Sequence, residues 1–407
     1  MVEGSFTLVE YGGGLYYYLF ELANFSFCGA LLLLIYKLKY LDANELMVWF
    51  FIFFTPFLFN YFLFDPLLFP DQTQYAWDLM SHKFDGTSLD GVVSREQNTG
   101  TYWDYVPFSG VNPITLTGNF LGLVPLPNYM TMTSMAFSNK VLLLITYFFL
   151  RPSIKNTKIL LMLFLIPSIV LYSSLALRET LITCFTLFFL ITLLRGRYIL
   201  CLSFLLPLIV LKIQIFAVLA IYYFGRVFLQ SHKSFFMLGV YAAIIVVGAF
   251  ILEAPVLQIL NYYRIGFAAE DFDLGNGITN YAGFALYGDR EALILTSIPN
   301  AIFTSIIGLP NLMLMPLPWN WSGIFHPIQA LESLLLIFLY YWAARRYNLF
   351  YNQEFIYLSF TLLIGMMLYS LLAFNEGTFV RYRFGLFYPM LIAVFYIGQN
   401  QKLSEQK

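Results

Sequence analysis

Long apolar runs separated by short polar breaks dominate this chain. Runs of roughly span length, about 17–25 residues, fall near 15–36, 46–64, 129–150, 158–176, 180–194, 236–252, 323–343, 355–373 and 384–399. Each reads as a transmembrane helix, because in hydrocarbon a helix satisfies its own backbone donors and acceptors. Two stretches break the pattern. Residues 198–224 are interrupted by Pro207 and by Lys212 with Gln214, the mark of a helical hairpin that dips in and returns. Residues 293–318 are apolar but carry Pro299, Pro310, Pro316 and Pro318. Proline removes a helix donor, so this segment is expected to be re-entrant or surface-lying. The fold expected is an all-α polytopic transmembrane helical bundle. It is one domain over 1–407, with about 10–11 spans once the hairpin and the re-entrant segment are counted.

Composition agrees with that reading. The chain of 407 residues is 60% hydrophobic and 11% charged, too little charge to coat a soluble surface, which needs about 25%. Net charge is −1 and no basic stripe points to nucleic acid. Cys28, Cys184 and Cys201 all lie in apolar runs, which argues against a disulfide framework. Aromatics make up 20% of the chain; they serve as interfacial belts and lipid-facing filler, or line a groove for sugar or lipid. The segment MVEGSFTLVEYGGG is acidic ahead of the first run, unlike a cleaved signal, and is expected to be retained.

Charge position gives the membrane a polarity. The basic clusters are Lys37 and Lys39; Arg151, Lys155 and Lys158; Arg195 and Arg197; Arg226 and Lys233; Arg345 and Arg346; and Lys402 and Lys407. One choice of parity puts all six in the cytoplasm, with the N-terminus outside and the C-terminus cytoplasmic. The external face then receives loops 65–128 and 253–322 and the turns at 176–179 and 374–383. These carry most of the remaining polar residues.

External arginines at span ends are the most informative feature. Arg178 and Glu179 sit in SSLALRETLITC, and Arg381 and Arg383 in NEGTFVRYRFGLFYP. A guanidinium suits phosphate through paired hydrogen bonds, and a lipid-linked diphosphate lies at that depth. The same arginines also fit snorkelling to headgroups or pairing with Glu179 and Glu376. In the first long loop, Asp71, Tyr75, Asp78 and His82 share one helix face. A carboxylate there suits general-base work on a sugar hydroxyl, while an amphipathic helix anchored by Tyr75 and Trp77 fits equally. Arg264 adds a cation to the second loop. LPLPWNWSGIFHPIQALESLL brings Trp319 and His326 before Glu332; tryptophan faces stack on sugars and also sit at bilayer interfaces. Asp271 and Asp273 have the spacing of a metal-holding carboxylate pair, but that loop is external, and no metal is expected. The three histidines show no ligand spacing, and no phosphate-binding or dinucleotide loop occurs.

The segments PDQTQYAWDL, SSLALRET, PLPWNWSG with ALES, and NEGTFVRYRFGLFYP together resemble the Wzy-type and EpsG-like repeat-unit polymerases of bacterial surface polysaccharide. That group lies within the wider GT-C-like membrane glycosyltransferases. They extend from Asp71 to Pro389. The resemblance implies polymerisation of undecaprenyl diphosphate-linked oligosaccharide repeats at the external face of the bacterial cytoplasmic membrane. It implies no cofactor. The partners it implies are a polyprenyl-linked glycan substrate, membrane lipids, a chain-length regulator and a flippase, with no nucleic acid. Asp71 or Glu179 would be the catalytic base. Arg178, Arg381, Arg383, Tyr75, Asp78, Arg264, Trp319 and His326 would bind substrate. The chain departs from the family in its modest number of external arginines.

Two other classes stay open. One is a GT-C-type transferase that adds a single sugar from a polyprenyl-phosphate donor. The other is a transporter or flippase for a lipid-linked glycan, kept open by the two irregular segments, although such proteins carry mid-bilayer charges and here few lie inside apolar runs, mainly Glu21, Lys212 and Glu332. No repeat of matching halves supports the latter.

Overall fold

Asp42 opens the first turn between two membrane helices. Its side chain accepts from the Glu45 backbone at 2.8 Å, while the Glu45 carboxylate accepts from the Asp42 backbone at 2.7 Å. This reciprocal cap satisfies two orphan donors of the helix start. It fixes the boundary between α1 (Gly14–Lys37) and α2 (Ala43–Phe57), which continues into a π-helical turn, Leu58–Leu63. The computed structural model describes residues 14–63, 113–129, 131–230, 294–314, 325–372 and 376–405, short pieces between 239 and 264, and Pro316 and Pro318.

Among the described residues the secondary structure is helical, with no strand. The protein is an all-α polytopic helical membrane bundle. Six described helices are long and apolar enough to cross a membrane. They cover Leu19–Lys37, Ala43–Asn60, Thr133–Leu150, His326–Arg346, Gln353–Leu372 and Val380–Lys402. Four shorter apolar helices lie at Glu179–Leu194, Tyr198–Leu211, Ile213–Val227 and Ile298–Leu314.

The chain divides into two compact units, Met1–Phe185 with Ile209–Leu211, and Thr186–Leu208 with Lys212–Lys407. The first unit contains α1, α2, α3 (Pro113–Gly122), α4 (Met132–Leu150), α5 (Thr157–Phe164), α6 (Pro167–Ser173) and the start of α7 (Glu179–Leu194). Its core is aromatic: Trp49 lies 5.4 Å from Tyr147 and 5.7 Å from Phe164, between ring centres. At the basic end the buried Glu45 carboxylate also accepts from Arg151 at 3.0 Å and from the Tyr147 hydroxyl. At the other end Asn24 donates to the Asn128 carbonyl and to Ser134, and Thr133 donates to Glu21. The expected span 158–176 is two helices, α5 and α6. They part at Leu165–Ile166, because Pro167 cannot donate and disfavours helical geometry in the residue before it.

The second unit contains the rest of α7, then α8 (Tyr198–Leu205), α10 (Ile213–Gln230), α11 (Ile298–Leu314), α12 (Phe325–Arg346), α13 (Gln353–Leu372) and α14 (Glu376–Glu405). The short α9 (Pro207–Leu211) links α8 to α10. Lys212 breaks the helix at φ −163°, ψ 85°. The chain turns back there: the Tyr198 and Tyr223 rings, near the far ends of α8 and α10, lie 6.4 Å apart. This is the hairpin that Pro207 and Lys212 predict. α13 is the hub of the unit, packing on α10, α11 and α14, and the apolar stretch of α14 within Val380–Lys402 is almost wholly buried. Small residues let helices approach closely. A Cβ on Gly365 of α13 would meet Leu386 of α14, and Val218 of α10 at 3.1 Å.

Segment 293–318 differs from a surface-lying stretch. Residues 298–314 form one 17-residue helix that runs through Pro310. Its buried face, Ile298, Ala301, Ser305, Gly308, Asn311 and Leu312, packs inside the unit, and Ser370 of α13 donates to the Ser305 carbonyl at 2.9 Å. The external turn expected at 374–383 is also shorter, since α14 begins at Glu376 and puts Arg381 and Arg383 on a helix.

Candidate functional site

The second unit has two chemically different ends. At one end Arg226 of α10 pairs with Glu354 of α13 at 2.9 Å and donates to the Leu193 carbonyl. Asn352 donates to Gln401 at 3.0 Å, and the Lys402 ammonium lies 5.3 Å from the centre of the Tyr347 ring. Arg345 and Arg346 close α12 at the same end.

A second group of cations lies at the opposite end. Lys212, at the apex of the hairpin, sits 4.2 Å from the centre of the Tyr382 ring. Tyr382 of α14 stacks on Tyr369 of α13, with ring centres 4.4 Å apart. Two residues further along α13, the Leu371 carbonyl accepts from Arg264 Nη1 at 2.5 Å. Arg383 follows Tyr382 on α14, and its Nη1 donates to the carbonyls of Met313 at 3.0 Å and Leu312 at 3.4 Å. Arg264 and Arg383 are each 2% exposed, and Arg381 beside them is half-buried. Lys212, Arg264, Arg381 and Arg383 are therefore gathered at one end of the unit by α10, α13 and α14.

The physical reason is helix termination. The last carbonyls of α11 and α13 have no donor within their own helices, and the helix dipole leaves partial negative charge there. Arg264 and Arg383 meet that charge. A guanidinium carries five donors in a planar fork, so a side chain that caps a helix end can also turn a donor toward an anion.

In the first unit Arg178 and Glu179 lie at the head of α7. The Arg178 carbonyl accepts the first helical bond of α7, from the Ile182 backbone at 3.0 Å. Glu179 occupies the first turn and is buried; Arg178 is half-buried. An acidic side chain is favoured in the first turn of a helix, where Glu179 stands.

The remaining candidates divide sharply. Asp71, Tyr75, Asp78, His82, Asp271, Asp273 and Trp319 lie outside the described residues. His326 is half-buried in the first turn of α12, and Glu332, further along that helix, is buried. Among the described residues no group of three or more metal-ligating side chains comes together.

Sequence reasoning passed over Lys140 and Asn139. Both are fully buried on α4, at the head of the apolar run VLLLITYFFL. The signal available was a cation inside a span, which is costly without a partner or a role.

No family model, curated protein or solved structure matches the chain.

Proposed function

We propose that the protein polymerises lipid-linked oligosaccharide repeat units at the external face of a bacterial cytoplasmic membrane. The observation that carries this reading is the group of four cations, Lys212, Arg264, Arg381 and Arg383, at one end of the second unit. The opposite end holds Arg226, Arg345, Arg346 and Lys402, which the positive-inside rule assigns to the cytoplasm. The four-cation end then faces outward, where a polyprenyl diphosphate presents its headgroup.

The chemistry is direct glycosyl transfer. The acceptor hydroxyl oxygen bonds to the anomeric carbon of the donor glycan as the bond from that carbon to the diphosphate oxygen breaks. The leaving electron pair goes to the diphosphate, where cations stabilise the developing charge. Charge-assisted hydrogen bonds from guanidinium are short and about twice as strong as neutral ones. The proton of the acceptor passes to a carboxylate base. Within that group Arg381 and Lys212, the less buried pair, are the direct contacts. Arg264 and Arg383 hold helix ends and add their charge.

Glycan gels of a host lacking this chain test the reading. The expected result is loss of the long-chain ladder with accumulation of single lipid-linked units. A fixed mass change across an intact ladder would mean single-sugar transfer instead. An unchanged profile would remove both.

A further inference from the structure

The segment that carries Arg178 is tied down on every side within the first unit. α6 ends at Ser173 after seven residues, and its last carbonyls need donors from elsewhere. Asn139 Nδ2 donates to the carbonyls of Leu175 at 3.0 Å and Leu177 at 3.1 Å. Asn60 Nδ2 donates to the Ser174 carbonyl at 2.9 Å. The Ser174 hydroxyl contacts the Thr55 hydroxyl at 2.7 Å. Lys140 Nζ donates to the Val170 carbonyl at 3.1 Å, to Ser173 Oγ at 2.6 Å and to Ser174 Oγ at 2.8 Å.

The direction of these bonds decides what the lysine does. Ser173 Oγ donates to the Ile169 carbonyl, and Ser174 Oγ to the Val170 carbonyl, each at 2.5 Å. Both hydroxyls have spent their protons on their own helix, so the amine is the donor. The pair is a cap on the end of α6, unlike a nucleophile with its base, where the hydroxyl must donate to the amine. A donor at a helix C-terminus meets carbonyls that lack partners in their own helix. None of the three acceptors is a carboxylate, and Lys140 is 0% exposed. An amine at that depth carries a desolvation cost, offset by what it holds.

What it holds is the approach to the site. Four residues after Ser174 the chain reaches Arg178, just before α7. We infer that Lys140, with Asn139, is a positioning residue that fixes turn 173–177 and so sets the placement of Arg178 and Glu179. This rests on the reading above that those two residues work on the substrate.

Hydrogen exchange of the full-length protein in lipid nanodiscs tests it, alongside the glycan ladder. In Lys140→Met, amide exchange should rise roughly tenfold or more across 174–180, while α14 keeps its rates. The ladder should shorten, and Lys140→Arg, which keeps a buried hydrogen-bond donor, should restore part of both. Asn139→Leu should loosen the same stretch and carries the test if Lys140→Met does not fold. Wild-type exchange across 174–180 in both variants overturns the proposal. So does loosening spread evenly over α4 and α6 with no rescue by arginine, which would assign Lys140 to packing alone. An intact ladder in Arg178→Ala would sink the functional reading, and the exchange data would still decide the positioning role.

Discussion

Arg178→Ala should abolish long-chain polymer while the protein stays in the membrane at its normal amount. Arg178 stands at the head of α7, half-buried, with its backbone set by the turn before it and by the first bond of the helix. Its removal takes away a planar donor fork that matches phosphate oxygens. Each charge-assisted hydrogen bond contributes about 1.5–3 kcal/mol, so losing one slows each transfer step roughly tenfold to a hundredfold. Polymer length compounds that loss at every step. Arg178→Lys keeps the charge without the fork and should give a short ladder. Gel profiles and membrane immunoblots of the wild type and both variants check this. A normal ladder in the alanine variant would remove Arg178 from the site.

The two arginines of α14 should separate stability from function. Arg383 is buried and donates to two carbonyls at the end of α11. Arg383→Ala leaves those carbonyls short of a donor and opens a cavity, so it should destabilise the protein by about 2–4 kcal/mol. Arg381 is half-buried on the same turn. Its replacement by alanine should change stability by less than about 1 kcal/mol and still abolish the ladder. Thermal unfolding in detergent, read beside the gels, measures both. Equal destabilisation by the two variants would contradict the division of roles.

The sequence carried the helices better than the interior. In lipid a helix need only be apolar and long enough, so run length alone located α1, α7 and α13 to within a residue or two. Pro207 and Lys212 announced the hairpin because a proline and a cation together interrupt an apolar run. The opening of α14 was misplaced, because Arg381 and Arg383 read as loop. On the folded chain Arg383 is buried in the helix, with carbonyls of α11 as partners. Pro310 read as a break, yet α11 runs through it, its inner face packed within the unit. Arg178 and Glu179 were legible as a polar pair between two apolar runs. Lys140 was not, since Ser173 and Ser174, the partners that explain it, come from another helix. The contact between Lys212 and Tyr382 was hidden for the same reason. A lone cation in a run shows where to look, and its tertiary partners show what it does.

On the proposed reading, Lys212 and Arg381 bind a lipid-linked diphosphate. Direct binding of undecaprenyl diphosphate to the purified full-length protein in nanodiscs tests it most directly. Saturable binding is expected, weakening roughly tenfold or more in Arg381→Ala and in Lys212→Ala. Added salt should weaken it further, and undecaprenol, which lacks the diphosphate, should not compete. Equal affinity for undecaprenol, or unchanged affinity in both variants, would contradict it.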